Sequence, residues 1–114
     1  MTIRYKNATG NLTTTNLTTV LTLSTSTVGI VKSVYFSNTS TGAIICNAAM
    51  TDASAGSYDA EFFRDSIAAS TSINAAPEGL NLEAGDAIKA QADTASYVKV
   101  LVNYAQVDRS QENG

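Results

Sequence analysis

Tyr97-Val98-Lys99-Val100-Leu101-Val102-Asn103-Tyr104 places Val98, Val100, Val102 and Tyr104 on one side of an extended chain, with Lys99 and Asn103, interrupted by Leu101, on the other. Successive side chains of a strand point to opposite faces, so this stretch is a half-buried strand whose apolar face needs a second layer to cover it. Just upstream, Ala87–Ala92 alternates in the same way, Lys89 and Gln91 outward and Ile88, Ala90 and Ala92 inward. The four small or polar residues between them, Asp93-Thr94-Ala95-Ser96, predict an antiparallel hairpin. Glu83-Ala84-Gly85-Asp86 before that pair reads as a turn in which Gly85 is free to take positive φ.

The pattern continues toward the N-terminus. Val28–Asn38 is rich in β-branched and aromatic residues and ends in the turn cluster Asn38-Thr39-Ser40-Thr41-Gly42, predicting a central strand. Ala43–Met50 is expected to return beside it as a second hairpin, followed by a loop over 52–56. Leu17–Leu23 predicts another strand, Ser57–Asp65 a strand that could also pass for a short helix, and Ile67–Ala75 a further strand. Turn signals every eight to twelve residues or so indicate a small all-β antiparallel β-sandwich, jelly-roll-like or Ig-like. Residues 1–16 are Thr/Asn-rich with isolated Ile3, Tyr5 and Leu12, and read as an extended N-terminal arm. Residues 17–107 form the sandwich domain, and 108–114 a polar, frayed tail. On this division, removing the arm leaves a folded domain that has lost its attachment, and Ile3, Arg4, Tyr5 and Leu12 are the candidate partner-binding residues.

Composition narrows the function. The 114 residues have room for one domain and one core. Thr, Ser and Asn make up about a third of the chain, which disfavours long helices because these side chains compete for backbone hydrogen bonds or lose rotamer freedom there. With no histidine and one cysteine, zinc sites built on His or paired Cys are excluded, as are Ser-His-Asp and Cys-His catalysis. A non-enzymatic protein without cofactor or metal is the expectation. A formal charge of −3 with seven scattered basic residues argues against nucleic-acid partners. No apolar run is long enough for a membrane span, and the start lacks the apolar stretch of a secretory signal.

Candidate chemistry is sparse. Cys46 lies inside an apolar run and reads as a small core residue. Asp52, Asp59, Glu61 and Asp65 fall within fourteen positions, but they lack calcium-loop spacing and have Arg64 among them, so a solvated strand and loop is the better reading. Four Asn-x-Ser/Thr matches, at Asn7, Asn11, Asn16 and Asn38, are what chance gives in a chain this rich in Asn and Thr. Tyr5, Tyr35 and Tyr58 could line a carbohydrate-binding face, although tyrosines with a polar tip suit sheet edges and protein interfaces equally.

Three stretches in order, Ile30–Thr39, Gly79–Ala92 and Val98–Tyr104, resemble small β-sandwich virion structural proteins of tailed bacteriophages, and the similarity covers residues 17–107. The proline-containing turn usual in that family ahead of its second strand is replaced here by Ser24-Thr25-Ser26-Thr27-Val28-Gly29. The resemblance implies a structural role in the virion, assembled in the host cytoplasm, and carries over no catalytic residue. It implies a head decoration (cement) protein bound to the major capsid protein, or a neck, tail or fibre component contacting other virion proteins. A homo-oligomer, trimer or other ring, is expected in either case.

Overall fold

The computed structural model describes residues 2–56, 58–77 and 80–108. Nine strands are present among them: β1 (Thr2–Asn11), β2 (Thr18–Thr22), β3 (Thr27–Asn38), β4 (Ile44–Asp52), β5 (Tyr58–Ile67), β6 (Thr71–Asn74), β7 (Leu80–Leu82), β8 (Ala87–Ala92) and β9 (Val98–Asp108). A single turn of 3-10 helix, Ala53–Ala55, interrupts them. Sheet A has the order β1-β9-β3-β6, with β7 on β3 beside β6, and sheet B has the order β2-β8-β4-β5. All pairings are antiparallel. The two sheets pack face to face, giving the expected small all-β sandwich, and the strand order is that of a jelly roll.

The alternation read in the sequence produces the core directly. Val98, Val100, Val102 and Tyr104 of β9 face Ile88, Ala90 and Ala92 of β8, and all seven are buried. Val31, Val34 and Phe36 of β3, Cys46 and Ala48 of β4, and Leu21 and Leu23 at β2 complete the layer. Phe36 is fully buried and stacks on Phe63 of β5 with ring centroids 5.7 Å apart. The alanines of sheet B, Ala48, Ala90 and Ala92, leave room in the shared core for the larger residues of sheet A.

Both predicted hairpins are corrected. β8 and β9 lie in opposite sheets, β8 between β2 and β4 and β9 between β1 and β3. Likewise β3 belongs to sheet A while β4 pairs with β5 and β8 in sheet B. Strands with one apolar face can bury it by stacking across the core, and the five-residue links at 39–43 and 93–97 span the roughly 10 Å between sheets. In the second link Ser96 takes φ +75°, and its N–H donates to the Leu12 carbonyl at 2.8 Å. The hairpin that does form is β4–β5, closed through the 3-10 turn by Asp52, which accepts from the Ser54 N–H, and by Gly56 at φ +74°. The segment 58–67 is strand and not helix, and Gly85 takes φ +84° as expected of its turn.

Residues 2–16 of the expected arm are not separate from the sandwich. Thr2–Asn11 pairs with Asp108–Lys99 of β9 along its whole length as the edge strand of sheet A. The next residue, Leu12, has 0% exposure and sits in the core, its N–H donating to the Val98 carbonyl at 3.0 Å. The segment is extended, but its partner is this chain's own β9, which offers a ladder of backbone groups that must be paired. Of the tail at 108–114, Asp108 closes β9, and the remainder lies outside the described residues.

Candidate interaction face

Because β1, β9 and β3 are in register, their outward side chains form rows across sheet A. Ile3, Val107 and Val28 make one row, and Tyr5, Ala105 and Ile30 the next. A polar row, Asn7, Asn103 and Ser33, follows, in which the Asn103 amide donates to the Ser33 hydroxyl at 2.9 Å. Thr9, Leu101 and Tyr35 then form a third row with apolar members. Exposure is high for the large members: Ile3 57%, Tyr5 75%, Ile30 51% and Tyr35 40%. A register shift in β3 between Val31 and Ser33 sets Lys32 apart from the rows, and its Nζ lies 4.8 Å from the Tyr5 ring centroid as a cation–π contact. The result is an apolar face with a cation at its margin, the composition of an interaction surface rather than of a solvated sheet.

Of the four predicted partner-binding residues, Ile3 and Tyr5 lie on this face and Arg4 is exposed on the other side of β1, with its Nε 3.6 Å from an Asp108 carboxylate oxygen. Leu12 is corrected: buried completely, it can touch no partner. Sequence reasoning missed Val28, Ile30, Ala105 and Val107, although a signal existed. Val28 to Val31 and Leu101 break the alternation by placing apolar residues on both sides of their strands, and such strands are covered on both faces. Tyr58 sits on β5 in sheet B, so Tyr35 and Tyr58 do not share a face. Tyr5 and Tyr35 do, but four positions and two strands apart, roughly 16 Å by ordinary strand spacing, too far for one sugar ring.

The acidic residues of the 52–65 segment separate into local contacts. Asp59 accepts from the Thr51 hydroxyl at 2.6 Å and from Lys89 Nζ at 3.3 Å, and the Thr51 bond first and Lys89 second hold its carboxyl below its ordinary value. Glu61 pairs with Arg64 at 2.8 Å, and Asp65 accepts from the Ser66 N–H at 2.7 Å. Asp52 instead lies near Glu83 and Asp86, with one carboxylate oxygen of each within 4.8 Å of the others. Both Asp86 oxygens already accept backbone N–H groups, from Ala53 at 3.0 Å and Glu83 at 2.8 Å, and tie the β7–β8 turn to the end of β4. Of the Asn-x-Ser/Thr matches, Asn38 is 2% exposed and its amide donates to the Gly42 and Ile67 carbonyls, which leaves no access for a glycan.

Cys46 is fully buried, as expected. Burial, reinforced by the charge of Asp93, pushes its thiol up to about 11 from 9.0. An acid whose folded pKa is raised favours the native state fully below the unfolded pKa, and that contribution is lost as pH rises through the folded one. Denaturant titrations should therefore show stability falling between pH 9 and 11, by on the order of 2–3 kcal/mol from this group. Cys46→Ala should flatten that part of the profile, and native protein at neutral pH should resist thiol reagents that label the unfolded chain at once.

In comparisons with protein-family models, with curated proteins and with solved structures, the chain matches none.

Proposed function

We propose that this chain is a non-enzymatic structural protein of a bacteriophage virion, a head decoration protein held on the outside of the shell by protein–protein contacts. The observation that carries this reading is the exposed apolar face of sheet A, with Ile3, Tyr5, Val28, Ile30, Ala105 and Val107 in two adjacent rows. A rigid sandwich bearing such a face is suited to docking by shape and burial, and repetition over a shell makes many modest contacts collectively strong. The order of Ile30–Thr39, Gly79–Ala92 and Val98–Tyr104 points in the same direction through the family resemblance. Jelly rolls serve in viral capsid proteins and in lectins alike, so the fold is compatible with the reading without selecting it. The sugar-binding alternative is disfavoured by the dispersal of Tyr5, Tyr35 and Tyr58.

Gold-labelled antibody on intact particles, viewed by electron microscopy, tests the proposal. Label over the whole head is expected. Label confined to one vertex or the tail would replace decoration with a neck, tail or fibre role, and particles free of label would overturn the virion reading altogether.

A further inference from the structure

Every open sandwich has strand edges whose unpaired N–H and C=O groups can accept another strand, and short edge strands are one way of blunting them. Here β2, β6 and β7 are short edges of five, four and three residues. β1 and β5 are long, ten residues each, and they lie on opposite sides of the molecule: β1 beside β2, and β5 beside β6. Their charges are opposite. β1 carries Arg4 and Lys6 and no acidic residue, whereas β5 carries Asp59, Glu61 and Asp65 against Arg64 alone.

We propose that copies of this chain assemble head to tail, the edge strand β1 of one copy adding to the edge strand β5 of the next. Two β1 edges would set cation against cation, and two β5 edges acid against acid, so self-pairing of either strand is penalised while the mixed pairing is attractive. Lys6 and Asp65 are the natural cross-copy pair. Both are exposed, and neither makes an ion pair among the described residues. Both also stand on the core-facing parity of their strands, Lys6 opposite Tyr104 and Asp65 opposite Cys46. A register shift leaves Phe62 outside the regular β4–β5 pairing, which makes Phe63–Ile67, the half containing Asp65, the regular stretch available to the incoming strand. A heterologous contact of this kind closes into a ring of three or more copies or continues as a filament, and it excludes a two-fold dimer. The pairing leaves the outer face of sheet A free for a different partner, and it does not depend on the virion assignment.

The test is the solution mass of the full chain by light scattering and sedimentation velocity, across concentration and at low and high salt. Expected are species of three copies or more that weaken as salt screens the edges. Lys6→Glu and Asp65→Lys should each weaken association by about tenfold or more, with an unchanged circular dichroism spectrum reporting an intact fold. The double variant Lys6→Glu/Asp65→Lys should restore it, because every interface then again joins opposite charges. A protein that stays monomeric, a two-fold dimer, or a folded double variant that fails to reassemble would overturn the proposal. Particle labelling decides the virion reading separately, so either can fail without the other.

Discussion

Deleting residues 1–16 is expected to unfold the protein rather than release an intact domain. The deletion strips β9 of a partner along ten residues and exposes the backbone of the strand at the centre of the core. It also removes Leu12, which is wholly buried and holds the end of the link that leads into β9. The Leu12 N–H reaches the Val98 carbonyl at 3.0 Å, and its carbonyl receives the Ser96 N–H at 2.8 Å. The milder substitution Leu12→Ala keeps the strand and leaves a cavity, at a cost of about 2–5 kcal/mol. Against a typical total of about 5–15 kcal/mol, that is a large fraction of the stability of a small domain. Urea unfolding followed by circular dichroism measures both variants. A truncated chain that unfolds at the same midpoint as the full one would mean that the segment is a dispensable arm after all.

Asp86→Ala should cost nearly as much, for a different reason. Asp86 is 1% exposed, and its two carboxylate oxygens satisfy the N–H groups of Ala53 and Glu83. Its own carbonyl receives the Leu23 N–H at 2.9 Å, so one residue fixes the β7–β8 turn, the loop after β4 and the end of β2 relative to each other. Among the described residues no buried side-chain polar atom lacks a partner. Removing the carboxylate would leave two part-buried backbone donors without their acceptor, and a loss of about 3 kcal/mol follows. Asp86→Asn, which keeps one acceptor oxygen but turns an amide donor toward the other N–H, should fall between alanine and the native residue. Equal stability of all three in thermal and denaturant unfolding would show that the turn holds without this clasp.

The face of sheet A and the exposed cations of β1 share a physical origin. β1 and β9, of ten and eleven residues, are longer than β2 and β8 of the opposite sheet, of five and six. Sheet A therefore offers more surface than sheet B can cover. Arg4 and Lys6, at core-facing positions of β1, remain exposed, while Ile3 and Tyr5 face outward beside them.

The order of residues already specifies an all-β sandwich and which side of most strands is buried. Alternation at period two is a local property of a strand, so Val98, Val100 and Val102, or Ile88, Ala90 and Ala92, carry their orientation in the order of residues. It also determined the chemistry that is missing, since a chain without histidine cannot build the sites that need one. Which strands are neighbours emerges from the assembled fold and from no single stretch. A half-buried strand can cover its apolar face by facing another across the core, and the links at 39–43 and 93–97 suit a sheet-to-sheet crossing as well as a hairpin. Nothing local distinguishes the two until the other strands compete for the same edges. For the same reason, the tertiary structure alone placed Thr2–Asn11 on β9 and Leu12 in the core. A segment with few apolar residues looks like an arm until the unpaired edge of a central strand is there to receive it.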